Sequence, residues 1–241
     1  MFIKTVWGWR KKQGGKSMER EEGLKLFGET RIMAMFRNVE RDRVIPFAEA
    51  LYDGGIRMIE VTLNSIGAYY VIKDLQKQLG KRVFIGAGAV CDAKDAKEAL
   101  EAGASFLVAP YTDKRVVKFG QEERLPVYAG ALTPAEVAKA WKSGVTGVSL
   151  FPAASLGAAY ASELREALPH IPLLAAGGIN EGNLAEYLRA GCAGCELDAA
   201  RINRLELKDR HYDVIRDRAA ALSQIVRQTQ AELEAVEAEA D

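Results

Sequence analysis

Residues 83–109 read VFIGAGAVCDAKDAKEALEAGASFLVA. The first six are apolar or glycine without interruption, as expected of a strand covered on both faces in a parallel sheet. Asp92 then stands where a helix N-cap belongs, an amphipathic stretch runs to residue 102, and Gly103 sits where the chain must leave the helix with positive φ. Residues 105–109, SFLVA, open the next strand. A strand–helix–strand unit of this kind implies a parallel crossover, and it recurs in both directions along the chain.

Upstream, 31–37 (RIMAMFR) and 56–62 (IRMIEVT) read as strands. Downstream so do 125–129 (LPVYA), 145–150 (VTGVSL), 172–176 (PLLAA) and a weaker 193–198 (AGCELD). Helices are expected over 42–52, ending at Gly54-Gly55, over 133–142, ending at Gly144, and over 181–190, ending at Gly191. Thr133-Pro134-Ala135-Glu136 is a capping box with proline in the first turn. A last helix over 212–234 runs into an Ala/Glu-rich end. Eight strand–helix alternations in about 200 residues predict an α/β protein, a closed (β/α)8 TIM barrel and not an open doubly wound sheet. The barrel is expected over 21–222, with a basic aromatic tail over 1–20 and the end of the last helix and an acidic tail over 223–241.

The chain has 241 residues, enough for one large core, and a formal net charge of zero, which supplies no global field toward nucleic acid. No apolar run approaches the roughly 18 residues that span a bilayer. Three cysteines do not make a disulfide scaffold, so a reducing, cytoplasmic setting is expected. The tail carries Lys4, Arg10, Lys11, Lys12, Lys16 and Arg20 against Glu19, beside an apolar set of Phe2, Ile3, Val6 and Trp7. Such a segment either docks on a partner or an anionic membrane surface, or is a disordered extension, an expression remnant or residues upstream of a start at Met18.

A barrel of this kind builds its site at the C-terminal ends of its strands. Those ends carry Arg37; Glu60, Thr62 and Asn64; Gly86-Ala87-Gly88; Pro110; Gly130; Ser149 with Phe151-Pro152; Gly177-Gly178; and Glu196 with Asp198. No Gly-x-Gly-x-x-Gly follows the first strand, so no dinucleotide is implied. Cys192 and Cys195 have C-x2-C spacing but no second cysteine pair or nearby histidine to complete a zinc site. Glu60 with Asp198 or Glu196 offers a divalent cation carboxylates of no particular specificity. The site is read without metal and without cofactor.

Five blocks stand in order on this pattern: Glu60-Val61-Thr62-Leu63, Gly86-Ala87-Gly88-Ala89-Val90, Leu132-Thr133-Pro134-Ala135-Glu136, Leu150-Phe151-Pro152-Ala153 and Ala176-Gly177-Gly178-Ile179-Asn180. In residue type, order and spacing they resemble the signature blocks of the 2-keto-3-deoxy-6-phosphogluconate/4-hydroxy-2-oxoglutarate aldolases, over about residues 21–220. The resemblance implies that Arg37 binds the carboxylate of a keto acid and that Glu60 shuttles protons. Thr62, Pro110, Phe151, Gly177 and Gly178 are implied to line the substrate. It also implies a homotrimer, alone or built into a larger assembly, for which Tyr69, Tyr70 and Val71 would supply an apolar contact.

The departures decide the activity. The family carries a lysine before the Phe-Pro of the sixth strand, and its amine forms a Schiff base with the ketone; here that place is Ser149. A hydroxyl cannot form an iminium, so the electron sink for carbon–carbon cleavage is missing. Two family contributions to the phosphate site, an arginine after the Glu-Val-Thr-Leu block and a Gly-Ser pair after the last strand, correspond to Asn64 and Asp198-Ala199. At 5 Å and an effective dielectric near 20, each lost charge pair is worth roughly 3 kcal/mol, over a hundredfold in affinity. Phosphorylated substrates are therefore disfavoured. Three readings remain open: a scaffold or binding protein that has lost aldolase chemistry, an enzyme of altered chemistry acting on an unphosphorylated keto or hydroxy acid through Arg37 and Glu60, or a carrier for the basic tail.

Overall fold

The computed structural model describes residues 18–240. Eight parallel strands close into one barrel in sequence order: β1 (Ile32–Phe36), β2 (Met58–Thr62), β3 (Phe84–Gly88), β4 (Leu107–Ala109), β5 (Val127–Ala131), β6 (Gly147–Leu150), β7 (Leu173–Ala175) and β8 (Gly194–Asp198). The seam is β8 on β1, with Met33 opposite Glu196 and Met35 opposite Asp198. The covering helices are α2 (Arg41–Asp53), α3 (Ala68–Leu79), α4 (Ala93–Ala102), α5 (Lys114–Glu123), α6 (Pro134–Lys142), α7 (Gly157–Ala167), α8 (Leu184–Arg189) and, after β8, the short α9 (Ala199–Ile202) and α10 (Arg204–Asp209) before the long α11 (Tyr212–Ala240). Before β1 comes α1 (Arg20–Thr30).

The period of two along each strand sorts side chains between two cores. Ile59 and Val61, Val148 and Leu150, and Cys195 and Leu197 join the outer core between strands and helices. Their alternates, Met58, Glu60 and Thr62 on β2, Ser149 on β6 and Glu196 on β8, therefore face the barrel interior. The helix starts are built as their side chains require: Asp92 accepts from the Asp95 N–H at 2.9 Å, and Thr133 and Glu136 form the reciprocal box.

β2, β4 and β6 begin two residues later than read, and four further departures from the sequence reading bear on the site and the floor. β5 lies two residues later than 125–129, because Leu125 and Pro126 still belong to the turn and Gly130 and Ala131 continue the ladder. The helix expected over 181–190 begins only at Leu184: Asn180 and Asn183 hold a tight turn through Asn180 Oδ1 to Gly182 N–H (2.9 Å) and Asn183 Oδ1 to Asn180 N–H (2.8 Å). α11 is one helix through Ala240, and Ser223, Val226 and Thr229 are still buried past residue 222.

The fourth departure is α1, for which no helix was read. It closes the lower end of the barrel. Phe27 meets Tyr128 edge-on at 5.9 Å, and Phe84 stacks on Phe106 at 5.1 Å. Gly23 lets the helix lie directly on the Phe84 ring, which a Cβ would strike. Met18 is buried in the same cluster, and its N–H donates to the Gly80 carbonyl at 2.6 Å. Residues 1–17, including the apolar set at Phe2 to Trp7, lie outside the described residues. No helix among the described residues is long and apolar enough to cross a membrane.

Candidate active site at the barrel mouth

Glu60 comes from the middle of β2, one strand from the seam, and is 2% exposed. Its carboxyl lies across Gly88 at the end of β3, so that a Cβ on Gly88 would collide with Oε1. From the other side of β1, Glu196 on β8 brings a second buried carboxyl, hydrogen-bonded to the first. Oε2 of Glu60 reaches no N–H or hydroxyl among the described residues. Burial, followed by the charge and hydrogen bond of Glu196, holds Glu60 well above the usual carboxylate range, while Arg37 pulls it down. Burial likewise pushes Glu196 up to about 7, offset by its bond to Glu60 and by Arg37, with Asp198 adding to the rise. Two carboxyls in one dry space cannot both ionise cheaply, so the pair keeps a proton near neutral pH.

The other residues expected at the site fall as follows. Arg37 is exposed just past β1, its Nη2 3.4 Å from Met35 Sδ, and its field reaches both buried carboxyls without a direct ion pair to either. Thr62 is buried, and its hydroxyl is engaged by the Phe36 carbonyl (3.3 Å) and Ser65 Oγ (2.9 Å), tying the ends of β1 and β2 together. Pro110 is exposed after β4, and its carbonyl packs so closely on Gly130 that no side chain fits there. Phe151 follows β6, is 45% exposed, and lays its ring over Gly177. Gly177 and Gly178 have φ of 83° and 82°. They precede the turn at 180–183 and stand six or seven residues ahead of α8. Asn180 and Asn183 side chains donate to the Gly178 carbonyl, at 3.3 and 3.1 Å. Asp198 caps α9 by accepting from the Arg201 N–H at 3.0 Å.

Ser149 is buried on the inner face of β6, level with Gly130 and Leu174. Every lysine among the described residues is exposed, and none lies on a strand. The sequence grouped Glu60 with Asp198 or Glu196 only as an unspecific set of carboxylates and did not single out the Glu60–Glu196 contact. Both residues were placed at strand ends, but what joins them is the seam that sets β8 and β2 on either side of β1. A hollow of about 530 Å3 lies in the helical layer between α5 and α6, lined by Lys114, Ala135, Lys139 and Lys142, and takes in none of these residues.

The model of the KDPG and KHG aldolases matches residues 25–217. This chain belongs to that family. It is 34% identical over 170 residues to the 2-dehydro-3-deoxy-phosphogluconate aldolase of Treponema pallidum, which covers 65% of this chain and 80% of the relative. To the 2-dehydro-3-deoxy-6-phosphogalactonate aldolase of Escherichia coli it is 28% identical over 167 residues, 69% of this chain and 82% of the relative. Among solved structures, the Legionella pneumophila KDPG aldolase with pyruvate captured as a covalent carbinolamine superposes with a TM-score of 0.76 at 25% identity. That match covers 82% of this chain and 96% of the other. An aldolase-family barrel is therefore the frame in which Arg37, Glu60 and Ser149 are to be understood.

Proposed function

We propose that this barrel has left Schiff-base chemistry and serves as a scaffold or binding protein, holding a small unphosphorylated carboxylate at its mouth. One observation carries the reading: Ser149 occupies the inward place on β6 before Phe151-Pro152, where the family resemblance puts the amine, and the described lysines are all exposed on helices or turns. A lysine on the outside of the helical layer has no path to a ketone held inside the barrel. Arg37 is the cation that would receive the ligand's carboxylate, with Pro110, Phe151, Gly177 and Gly178 around it. Asn64 and Asp198 stand where the family's phosphate contacts are implied, so a phosphate dianion would meet an acid in place of a donor. We further propose a homotrimeric, cytoplasmic protein that carries no cofactor and no metal.

A second reading is favoured by a specific observation. A buried carboxyl pair is costly to keep where nothing uses it, and perturbed acids cluster at working sites. In that reading the protein is a lyase or isomerase of altered chemistry on a 2-keto or 2-hydroxy acid, using Arg37 and Glu60.

Intact mass after borohydride reduction with pyruvate or glyoxylate tests the loss of the imine. The wild-type protein is expected to gain no adduct, and Ser149→Lys, which returns an amine to a dry site, to gain a weak one with pyruvate. A stoichiometric adduct on the wild type, mapped to a lysine, would overturn the proposal.

A further inference from the structure

Glu196 has no part in the roles that the family resemblance assigns, yet it is the group in closest electrical contact with Glu60. β2 and β8 both pair with β1, with Glu60 opposite Met35 and Glu196 opposite Met33, so the two inward carboxyls lie on either side of one strand. Gly88 leaves the space that Glu60 fills. Oε2 of Glu60, buried and without an N–H or hydroxyl donor among the described residues, is an open acceptor inside the barrel. Arg37, exposed just past β1 with Nη2 3.4 Å from Met35 Sδ, is the cation whose field bears on both carboxyls, and it is where the carboxylate of an incoming acid would dock.

We propose that Glu60 and Glu196 form a two-carboxyl acid–base pair that interconverts the keto and enol forms of a short unphosphorylated 2-keto acid without any imine. The proposal rests on the second reading above. The protonated carboxyl gives its hydrogen to the carbonyl oxygen at C2, and the ionised one takes a hydrogen from C3. The C3–H bond breaks as its electron pair forms the C2=C3 bond, and the carbonyl π pair moves to oxygen and binds the delivered proton. The product is the enol, and the pair ends with the same one proton on the opposite carboxyl. No oxidant, reductant or co-reactant is consumed. A hydrogen bond delivered inside a water-poor site stabilises the developing enolate oxygen, the part that an iminium plays in Schiff-base chemistry.

The test uses the whole chain with pyruvate as probe in D2O, following loss of the methyl signal by proton NMR. Wild-type protein is expected to exchange the C3 hydrogens at least tenfold faster than buffer, with no borohydride-trappable adduct. Lys139→Ala, exposed in the helical layer away from the mouth, should keep the rate. Glu60→Gln and Glu196→Gln should each lower it tenfold or more, and Glu196→Asp, which keeps a carboxyl one methylene shorter, should recover part of it. The wild-type rate should be bell-shaped in pH near neutrality, because the pair must hold one proton; Arg37 and Asp198 are the other charged groups bearing on it, and Glu196→Gln should flatten the alkaline limb. If exchange occurs and Glu196→Gln leaves both rate and pH profile unchanged, Glu60 acts alone and the pair is refuted, while the second reading stands. If pyruvate binds by saturation-transfer NMR but no exchange occurs, the pair is again refuted. If pyruvate does not bind at all, the second reading falls with it. Should Glu196→Gln fail to fold, Glu196→Met, which fills a similar volume without an ionisable group, decides on the same terms.

Discussion

A carboxyl taken from water into a dry interior is stable chiefly in its neutral form, and that gives the Glu60–Glu196 pair a signature in stability as well as in chemistry. Glu196 is raised from 4.5 to about 7 in the folded protein. Below the unfolded value both states are protonated and the contribution is fully present. Between the two values the unfolded chain gives up its proton first, so stability falls as pH climbs toward about 7 and is flat beyond. We expect denaturant unfolding at pH 5 and pH 8 to show a wild-type loss of roughly 2–3 kcal/mol from this group, and Glu196→Gln to remove that slope. A wild type no less stable at pH 8, or a variant with the same slope, would contradict the shared proton. Asp113 works in the opposite window: its hydrogen bond to Arg115 holds it at about 2, so its contribution is lost only as pH falls through about 2. At this scale the places of Arg37, Glu60 and Ser149, just past β1 and on β2 and β6, were legible from the strand pattern, and their roles belong to the proposal. Glu196 was visible there as an acid, but its partner was hidden, because two residues so far apart in sequence meet only across a closed seam.

At the scale of elements, the strands were legible from uninterrupted apolar runs and the helices from their caps, as with Asp92 and the box at Thr133 and Glu136. Where two signals competed, the boundary moved. Residues 180–183 have helix-start composition, yet Asn180 and Asn183 satisfy the backbone locally and delay α8. α1 escaped because it is not an amphipathic covering helix. It carries Arg20, Glu21, Glu22, Lys25 and Glu29, and it buries only Gly23 and Phe27. Its role is nonetheless heavy, since Phe27 and Gly23 seal the floor against Tyr128 and Phe84. Phe27→Ala is expected to cost about 3–5 kcal/mol, read as a lowered urea midpoint with little change in m, because it opens a cavity that the rigid strands cannot collapse to fill. A loss under about 1 kcal/mol would mean that α1 is only loosely seated.

For the molecule as a whole, the barrel's eight-fold alternation was readable, but its outer surface was not. Of the residues expected to make a subunit contact, Val71 is buried within its own barrel, and Tyr69 packs partly against the core. Tyr70, in the first turn of α3, is 62% exposed, and Ile66, four residues earlier on the β2–α3 connection, is 97% exposed. The apolar patch available to another copy is therefore narrower than the sequence implied and lies beside the mouth. We expect light scattering at micromolar concentration to give about 79 kDa, three times 26.3 kDa, and Ile66→Glu to reduce that mass. A wild-type mass of one chain would refute the trimer.

The seam has a consequence for how the protein is made. β1 pairs on one side with β2, its neighbour in sequence, and on the other with β8, the last strand to be synthesised. While the ribosome is still translating, β1 presents an open row of N–H and C=O groups, and Glu60 has no second carboxyl to share a proton with. A chain interrupted before Gly194 keeps that open edge permanently, and a completed chain loses it on closure. An unpaired β1 edge is thus a feature only of chains that lack β8, and the Glu60–Glu196 contact forms only when β8 closes the barrel.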